Sequence, residues 1–205
     1  MGRSAHFTDQ HFIAAAQAVI AEEGPGGLTI QKIAARAGAT TGSVYHRFDS
    51  LDVIAATARL EAAESFQRDF AETLRAQAHQ NLYAVVEAGA LHTPAWSRRH
   101  LVRARVLLRQ EAFEPDPAPL PEDLRRRAQK LERGLRALFL PLAQNFERGG
   151  RGERLQLLQF LLADMPLAAV KPHLKNGQKP PAFVDAVIRK SVQAFEKELL
   201  RESRK

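Results

Sequence analysis

The segment from Leu28 to Phe48, LTIQKIAARAGATTGSVYHRF, constrains the fold of this chain more than any other. Its apolar residues recur at helical spacing, and Gly38 separates the pattern into two short parts. A tight glycine turn lets two short helices pack closely against each other. Val44 and Phe48 lie four residues apart and can anchor the second helix, whose other residues are mostly polar. The segment therefore predicts a helix-turn-helix unit.

A further helix is predicted in front of this unit. Thr8 is a suitable N-cap, and the breaker cluster that begins at Gly24 ends the helix after Glu23. Thr29 is a suitable N-cap for the next helix, and the third helix is predicted to run from about Thr41 to Arg47. Residues 1–49 are thus expected to form a three-helix headpiece.

The rest of the chain, residues 50–205, also shows helical periodicity and no convincing strand alternation, so we predict an all-α fold. Pro94 is predicted to begin a helix, while Pro141 and Pro166 are predicted to bend the helices that contain them. Residues 114–121 form a proline-rich connector. The predicted helices span residues 50–77, 81–92, 94–111, 122–148, 153–170 and 182–201.

Composition limits the classes of function. The chain has 205 residues, of which 45% are hydrophobic, and it contains no cysteine, so disulfides and thiolate metal sites are excluded. Neither a signal peptide nor an apolar run of membrane-spanning length is present, so we expect a cytoplasmic protein without a membrane partner. The net charge of +7 suits a nucleic-acid partner, but residues 1–50 carry four basic and four acidic residues. The bulk charge therefore does not locate a DNA-binding surface.

The polar face of the third predicted helix suits DNA. Short helices with small residues at their start can enter the major groove end-on. Hydroxyl, imidazole and guanidinium groups are donors to phosphates and base edges. This face carries Thr40, Thr41, Ser43, Tyr45, His46 and Arg47. For Tyr45 a core position, and for His46 a surface position without a base contact, remain alternatives.

The run from Thr40 to Phe48 resembles the recognition helix of the tetracycline-repressor (TetR) family. At the level of motifs the resemblance covers residues 8–56, and in length and helical pattern it extends to the whole chain. It implies phosphate contacts from Thr29, Thr40 and Tyr45, and positions facing the groove for Thr41, Gly42, Ser43 and His46. It also implies a homodimer on a near-palindromic operator in double-stranded DNA, and repression that a small-molecule effector relieves.

One position departs from the family pattern. The family often has a phosphate-contacting lysine just after the residues that match Asp49 and Ser50, and this chain has Leu51 there. Arg47, or Arg3 on an N-terminal arm, is a candidate to compensate for the missing lysine.

Other motifs favour a binding protein over an enzyme. The glycine cluster after Glu23 lacks the Lys-Ser/Thr of a nucleotide loop, and no nucleophile signature occurs. His92 and His100 do not have the i, i+4 spacing of a metal pair. We therefore expect no catalytic residue, no metal and no cofactor. A helical interaction protein that has a headpiece but senses no ligand is the main alternative, and an enzyme is a more distant one.

The larger domain is predicted to bind a ligand and to dimerise. Phe70, Trp96, Leu107, Phe139 and Phe160 are candidates for an apolar pocket, although residues of these types also build ordinary cores. If an arginine of the basic runs at 98–109 or 125–136 points inward, an anionic ligand such as an acyl thioester or a carboxylate is favoured. The helices predicted at 153–170 and 182–201 are apolar over wide faces, which predicts a four-helix dimer interface.

Overall fold

The computed structural model describes residues 7–109, 120–144 and 150–200, and these residues contain helices but no strands. The all-α prediction is therefore confirmed. Arg3, most of the connector at 114–121 and the predicted helix ends at residues 111, 148 and 201 lie outside the described residues. The helices are α1 (Asp9–Glu23), α2 (Ile30–Ala37), α3 (Thr41–Tyr45), α4 (Leu51–Ala76), α5 (Leu82–Arg99), α6 (Leu101–Leu108), α7 (Glu122–Gln144), α8 (Arg151–Gln159), α9 (Met165–Lys175), α10 (Phe183–Gln193) and α11 (Glu196–Leu200).

The chain divides into two compact units. The first contains residues 1–63 and 102–128, and the second contains residues 64–101 and 129–205. The first unit therefore holds α1, α2, α3, nearly all of α6 and the beginnings of α4 and α7. The second holds the rest of α4, α5, most of α7 and α8 to α11.

The helices of the first unit begin at the N-cap residues that the sequence predicts. The Nδ1 atom of His11 lies 3.0 Å from the backbone nitrogen of Thr8, so a histidine takes the place of the usual glutamate in a capping box. Thr29 accepts a hydrogen bond from the backbone of Lys32 at 3.2 Å. Gly38 ends α2 with a φ of 70°, a left-handed conformation that glycine adopts without strain.

One apolar cluster holds the first unit together. Phe12, Ile33 and Val44, which lie on the first three helices, are completely buried in it. The beginning of α4 contributes Ile54, and α6 contributes Val106. Because three short helices bury little surface alone, packing against these neighbours supplies much of their stability.

Helix α5 is the centre of the second unit. Gly89 brings it close to its neighbours: a Cβ atom there would lie 2.6 Å from Leu162 and 3.0 Å from Leu74. Arg98 donates to both carboxylate oxygens of Asp185, at 2.8 and 3.0 Å, and to the carbonyls of Pro180 and Pro181. These bonds fix the segment before α10 against α5.

The prediction that Pro94 begins a helix is wrong. Pro94 is buried inside α5, which ends only at Arg99, and the chain breaks at His100 with φ −126° and ψ 51°. A proline inside a helix removes one backbone hydrogen bond. Burial of Val86, Ala90 and Trp96 on the same helix compensates for this loss.

The last helices also differ from the prediction. The helix predicted at 153–170 begins at Arg151 and continues to Lys175, with a π-helical segment at Phe160–Asp164. Pro166 cannot donate to the carbonyl four residues before it, and the wider π turn lies directly in front of it. The helix predicted at 182–201 is divided into α10 and α11.

Candidate nucleic-acid interface

Helix α3 is anchored by one face and leaves the other exposed. Val44 is completely buried, and the ring of Phe48 packs edge-to-face against Phe12 with centroids 6.3 Å apart. Tyr45 is 63% exposed although it is a large aromatic residue. Since burial of a tyrosine is normally favourable, this exposure indicates a residue that is available to a partner.

The structure brings the predicted phosphate- and groove-facing residues of α3 together on this exposed face. Thr40, Thr41, Gly42 and His46 are exposed there, and Ser43 is half-buried. Tyr45 thus lies at the surface and not in the core, which was the alternative for this residue.

Thr29 and Thr40 both act as N-caps. The Oγ1 of Thr29 accepts from the backbone of α2, and the Oγ1 of Thr40 accepts from the backbone nitrogen of Ser43 at 3.2 Å. The hydroxyls of Thr40 and Ser43 also lie 2.9 Å apart. A threonine hydroxyl that accepts from the backbone still has its own proton to donate. Capping is therefore compatible with a phosphate contact, and it fixes where each hydroxyl lies.

Gly42 is not required by the fold. A Cβ atom there would have a single neighbour, the Oγ1 of Thr40 at 3.9 Å, which is ordinary van der Waals contact. Its φ is not positive, so the backbone conformation does not require glycine either. The surface of α3 therefore leaves free space at this position, which a close approach by DNA can use.

The described basic residues of the headpiece are all in ion pairs. Lys32 pairs with Glu23, and Arg36 pairs with Glu22. The Nη1 of Arg47 lies 2.7 Å from the carboxylate of Asp9. The predicted compensating role of Arg47 on a phosphate thus requires it to leave Asp9.

Leu51 has a packing role where the family often has a lysine. It is half-buried and packs against the apolar cluster of the first unit. The side chain that replaces the lysine therefore contributes to the core, and the headpiece presents one cation fewer to DNA.

Three of the five predicted pocket residues meet in the second unit. Phe66 stacks on Phe70 at 6.0 Å and packs edge-to-face on Trp96 at 5.1 Å, while Phe139 lies 6.3 Å from Phe70. Leu107 instead packs against the apolar cluster of the first unit. Phe160 is 46% exposed, so it is not part of a closed interior.

His92 also belongs to this aromatic cluster, although the sequence-based set of pocket residues does not contain it. The ring of His92 contacts those of Phe66 and Phe70 at 5.0 and 5.4 Å, and burial lowers its pKa to about 4. The sequence did contain a signal for this cluster. Phe66 and Phe70 are four residues apart, as are His92 and Trp96, and this spacing places each pair on one face of a helix.

The second basic run lies mainly at the surface, whereas Arg98, Arg103, Arg105 and Arg109 of the first run are half-buried. The guanidinium of Arg98 is hydrogen-bonded to Asp185 and to the neighbouring carbonyls. Arg99 is 62% exposed, and its Nη2 lies 3.9 Å from the carboxylate of Asp69. Arg125 and Arg126 pair with Glu122. A shallow polar pocket on α7 is lined by Gln129, Glu132, Arg133 and Arg136. Arg105 of the first run is half-buried, and its Nε is buried without a hydrogen-bond partner among the described residues, so an inward arginine that would favour an anionic ligand stays a prediction.

Large apolar side chains are exposed near the C-terminal end of the second unit. Phe183 and Val187, one turn apart on α10, are 61% and 52% exposed, and Leu167 on α9 is 45% exposed. Together with Phe160 they form what we call the apolar face. Exposure of several large apolar residues in neighbouring helices is typical of a protein interface.

Neither a metal site nor a membrane span occurs in the described part of the chain. These residues contain no group of three or more side chains that could hold a metal ion. No helix within them is both long enough and apolar enough to cross a membrane.

Comparisons with known proteins place the headpiece in a family. Residues 12–60 match the model for bacterial regulatory proteins of the tetR family. No curated protein shows significant similarity to the sequence.

Three solved structures share the fold over most of the chain. A transcriptional regulator from Rhodococcus sp. Rha1 has a TM-score of 0.68 at 17% identity, covering 93% of this chain and 97% of that one. Reduced NemR from E. coli has a TM-score of 0.64 at 21% identity, with 92% and 96% covered. FadR from Bacillus subtilis, solved in complex with stearoyl-CoA, has a TM-score of 0.63 at 17% identity, with 92% and 97% covered.

Proposed function

Residues 12–60 match the TetR family of bacterial regulatory proteins, and on this premise we propose that the chain is a sequence-specific DNA-binding regulator of that family. The observation that carries the proposal is the exposed face of α3. Val44 and Phe48 hold this helix against the core, and Tyr45 stays 63% exposed beside Gly42. A short, small-residue helix presented in this way suits the major groove.

The proposed roles divide the exposed residues into two groups. Thr29, Thr40 and Tyr45 bind phosphates, which fixes the position of the helix but does not read sequence. Thr41, Ser43 and His46 approach base edges, and Gly42 allows the backbone to come close. Arg47 joins the phosphate group only when it leaves Asp9.

A homodimer is the proposed active form. The apolar face of Phe160, Leu167, Phe183 and Val187 supports an interface made by α8 to α10 of two copies. A two-fold dimer presents two recognition helices, which must lie about 34–36 Å apart, or a multiple of this distance, to enter successive major grooves. The operator is therefore expected to be a near-palindrome.

The proposed division of labour assigns DNA binding to residues 1–49, and ligand binding and dimerisation to residues 50–205. The chain acts as a repressor, by binding and without catalysis, in the bacterial cytoplasm where its DNA partner lies. A small-molecule effector releases it because ligand and DNA favour different conformations. The complex of B. subtilis FadR with stearoyl-CoA supports this part, since it shows that the fold can hold a small molecule.

Selection from a library of random duplexes tests the proposal. The full chain is incubated with the library, bound duplexes are amplified through several rounds, and the enriched sequences are compared with those selected by Gly42→Leu. We expect the native protein to enrich one inverted repeat and the variant to enrich none. Equal, unselective retention of all duplexes by both proteins would contradict specific recognition and favour the helical interaction protein.

A further inference from the structure

Two polar atoms in the second unit are buried without a hydrogen-bond partner among the described residues. They are the Nε2 of His92 and the Nε1 of Trp96. The two residues are 3% and 1% exposed, so solvent does not reach them. Buried polar groups in folded proteins are nearly always hydrogen-bonded, and two neighbouring exceptions call for a partner.

The two atoms lie on the same side of α5. His92 and Trp96 are four residues apart, which places their side chains one above the other on a helix. Phe66 confirms this arrangement, because its ring packs edge-to-face on both of theirs, at 5.0 and 5.1 Å. One molecule bound beside Phe66 can therefore reach both polar atoms.

Thr73 determines which kind of partner His92 requires. The Oγ1 of Thr73 donates its proton to the carbonyl of Asp69 at 2.9 Å, so towards the Nδ1 of His92, 3.5 Å away, it can only accept. The proton of the neutral ring is thus assigned to Nδ1, and Nε2 is left as an acceptor. The indole of Trp96 is a donor only.

The site therefore offers one acceptor and one donor within aromatic walls. A hydroxyl group satisfies both atoms, since its proton goes to the Nε2 of His92 and its oxygen accepts from the Nε1 of Trp96. A carboxylate or a thioester carbonyl has no proton for His92. Phe70 and Phe139 extend the apolar surroundings, which suit a hydrocarbon or aromatic body.

We propose that His92 and Trp96 form the polar end of the effector site, and that this site takes a neutral, mostly apolar molecule bearing a hydroxyl group, such as an alkylphenol. The inference rests on the proposed function for its regulatory meaning, but binding itself does not depend on DNA. The burial that keeps His92 neutral at physiological pH agrees with an uncharged ligand.

The test uses Trp96 as its own reporter, because it is the only tryptophan in the sequence. The full chain is titrated with 4-butylphenol, with butylbenzene, which matches it except for the hydroxyl, and with 4-butylbenzoate, which is charged. Tryptophan fluorescence and thermal shift are both recorded. We expect saturable binding of 4-butylphenol, and affinities at least about tenfold weaker for the other two, because a site built for a hydroxyl leaves its polar atoms unpaired with them.

The His92→Phe variant keeps an aromatic ring and removes the acceptor. We expect it to reduce the preference for 4-butylphenol over butylbenzene to less than about threefold, and Trp96→Phe, followed by thermal shift, to reduce it likewise. If either variant fails to fold, the preference of the native protein among the three probes still decides the question.

Each outcome has a defined meaning. No binding of 4-butylphenol, equal binding of all three probes, or an unchanged preference in a folded His92→Phe would overturn the site; the first result indicates that an ordered water alone pairs the two atoms. DNA binding is measured separately on the selected inverted repeat. If the repeat is bound but no probe is, this inference fails and the DNA-binding function stands. If 4-butylphenol binds but no duplex is selected, the site stands and the DNA-binding function fails.

Discussion

Releasing Arg47 from Asp9 should strengthen DNA binding. In the headpiece the guanidinium of Arg47 lies 2.7 Å from Asp9, next to the exposed face of α3. Asp9→Asn removes the negative charge and keeps the size of the side chain. Arg47 can then bind a phosphate, which is the role that its position in the sequence suggests.

The size of the effect follows from how many phosphates the released arginines bind. Each phosphate neutralised changes the slope of log K against log salt by about −0.9, so the two headpieces of a dimer should steepen it by about 1.8. A hydrogen bond between charged groups contributes about 1.5–3 kcal/mol, against about 0–1 kcal/mol for an exposed ion pair. We therefore expect at least about tenfold tighter binding at physiological salt.

The cost to folding should be small. The Asp9 carboxylate is 66% exposed, so its ion pair with Arg47 is screened by solvent. The pair therefore contributes at the low end of the range of about 0–1 kcal/mol for exposed ion pairs. Asp9 also lies in the first turn of α1, where a negative charge stabilises the helix by about 0.3–1 kcal/mol. The free energy of unfolding should therefore fall by about 1 kcal/mol or less.

Fluorescence anisotropy on the selected duplex, at several salt concentrations, measures the effect. Asp49→Asn is the matched control, because it removes the same charge from the headpiece and Asp49 makes no ion pair in the described part of the chain. Equal salt slopes for Asp9→Asn and Asp49→Asn would refute the reasoning, since the tighter binding would then come from net charge and not from Arg47.

Three further predictions concern the headpiece, the dimer and the aromatic cluster. Tyr45→Phe should weaken binding to all duplexes by about 1 kcal/mol per headpiece, which is about 2 kcal/mol or roughly thirtyfold for the dimer, with an unchanged melting temperature, and equal affinity would exclude a phosphate contact. In analytical ultracentrifugation, the double variant Phe183→Glu with Val187→Glu should raise the dimer dissociation constant at least about a hundredfold. Full burial of each side chain is worth about 1.5–3 kcal/mol, about half of this remains to be gained on dimerisation because both are half-exposed, and each contact occurs twice in the dimer. The exposed control Val102→Glu should stay dimeric. The pKa of His92 is lowered to about 4 from an ordinary 6.5, so its neutral form stabilises the fold above pH 6.5 and this stability is lost as the pH falls from 6.5 to 4, by up to about 1.4 kcal/mol per pH unit. Urea titrations at several pH values should show this slope in the native protein and a smaller one in His92→Phe, and identical slopes would contradict it.

Local signals predicted where most helices begin. The hydroxyl of Ser50 accepts from the backbone of Val53 at 3.2 Å, and the side chain of Asn81 accepts from the backbone of Ala84 at 2.9 Å, as expected of N-caps. Such interactions depend on residues three apart, so the sequence contains all the information. Pro94 shows the limit, because whether a proline begins a helix or lies inside it depends on packing from distant residues.

The candidate sites show the same limit. The exposed residues of α3 could be predicted because they lie in one continuous motif. The pair of Asp9 and Arg47 joins residues 38 positions apart, and no local spacing indicates it. The cluster of Phe66, His92 and Trp96 joins two helices, so only the tertiary structure reveals that it leaves two polar atoms unpaired.

The most direct test of the central claim is the affinity of Gly42 variants for the selected duplex. The fold leaves free space at Gly42, with one atom 3.9 Å from an added Cβ, so Gly42→Ala and Gly42→Leu should fold and dimerise like the native protein. If α3 enters the major groove, the added side chain occupies the space needed by DNA. We predict an affinity that falls progressively from glycine through alanine to leucine, by about 1–3 kcal/mol or more for leucine, with unchanged dimer content. The melting temperatures should not fall below that of the native protein, because glycine inside a helix is about 1 kcal/mol less favourable than alanine. Native affinity in a correctly folded Gly42→Leu dimer would show that α3 does not read the DNA.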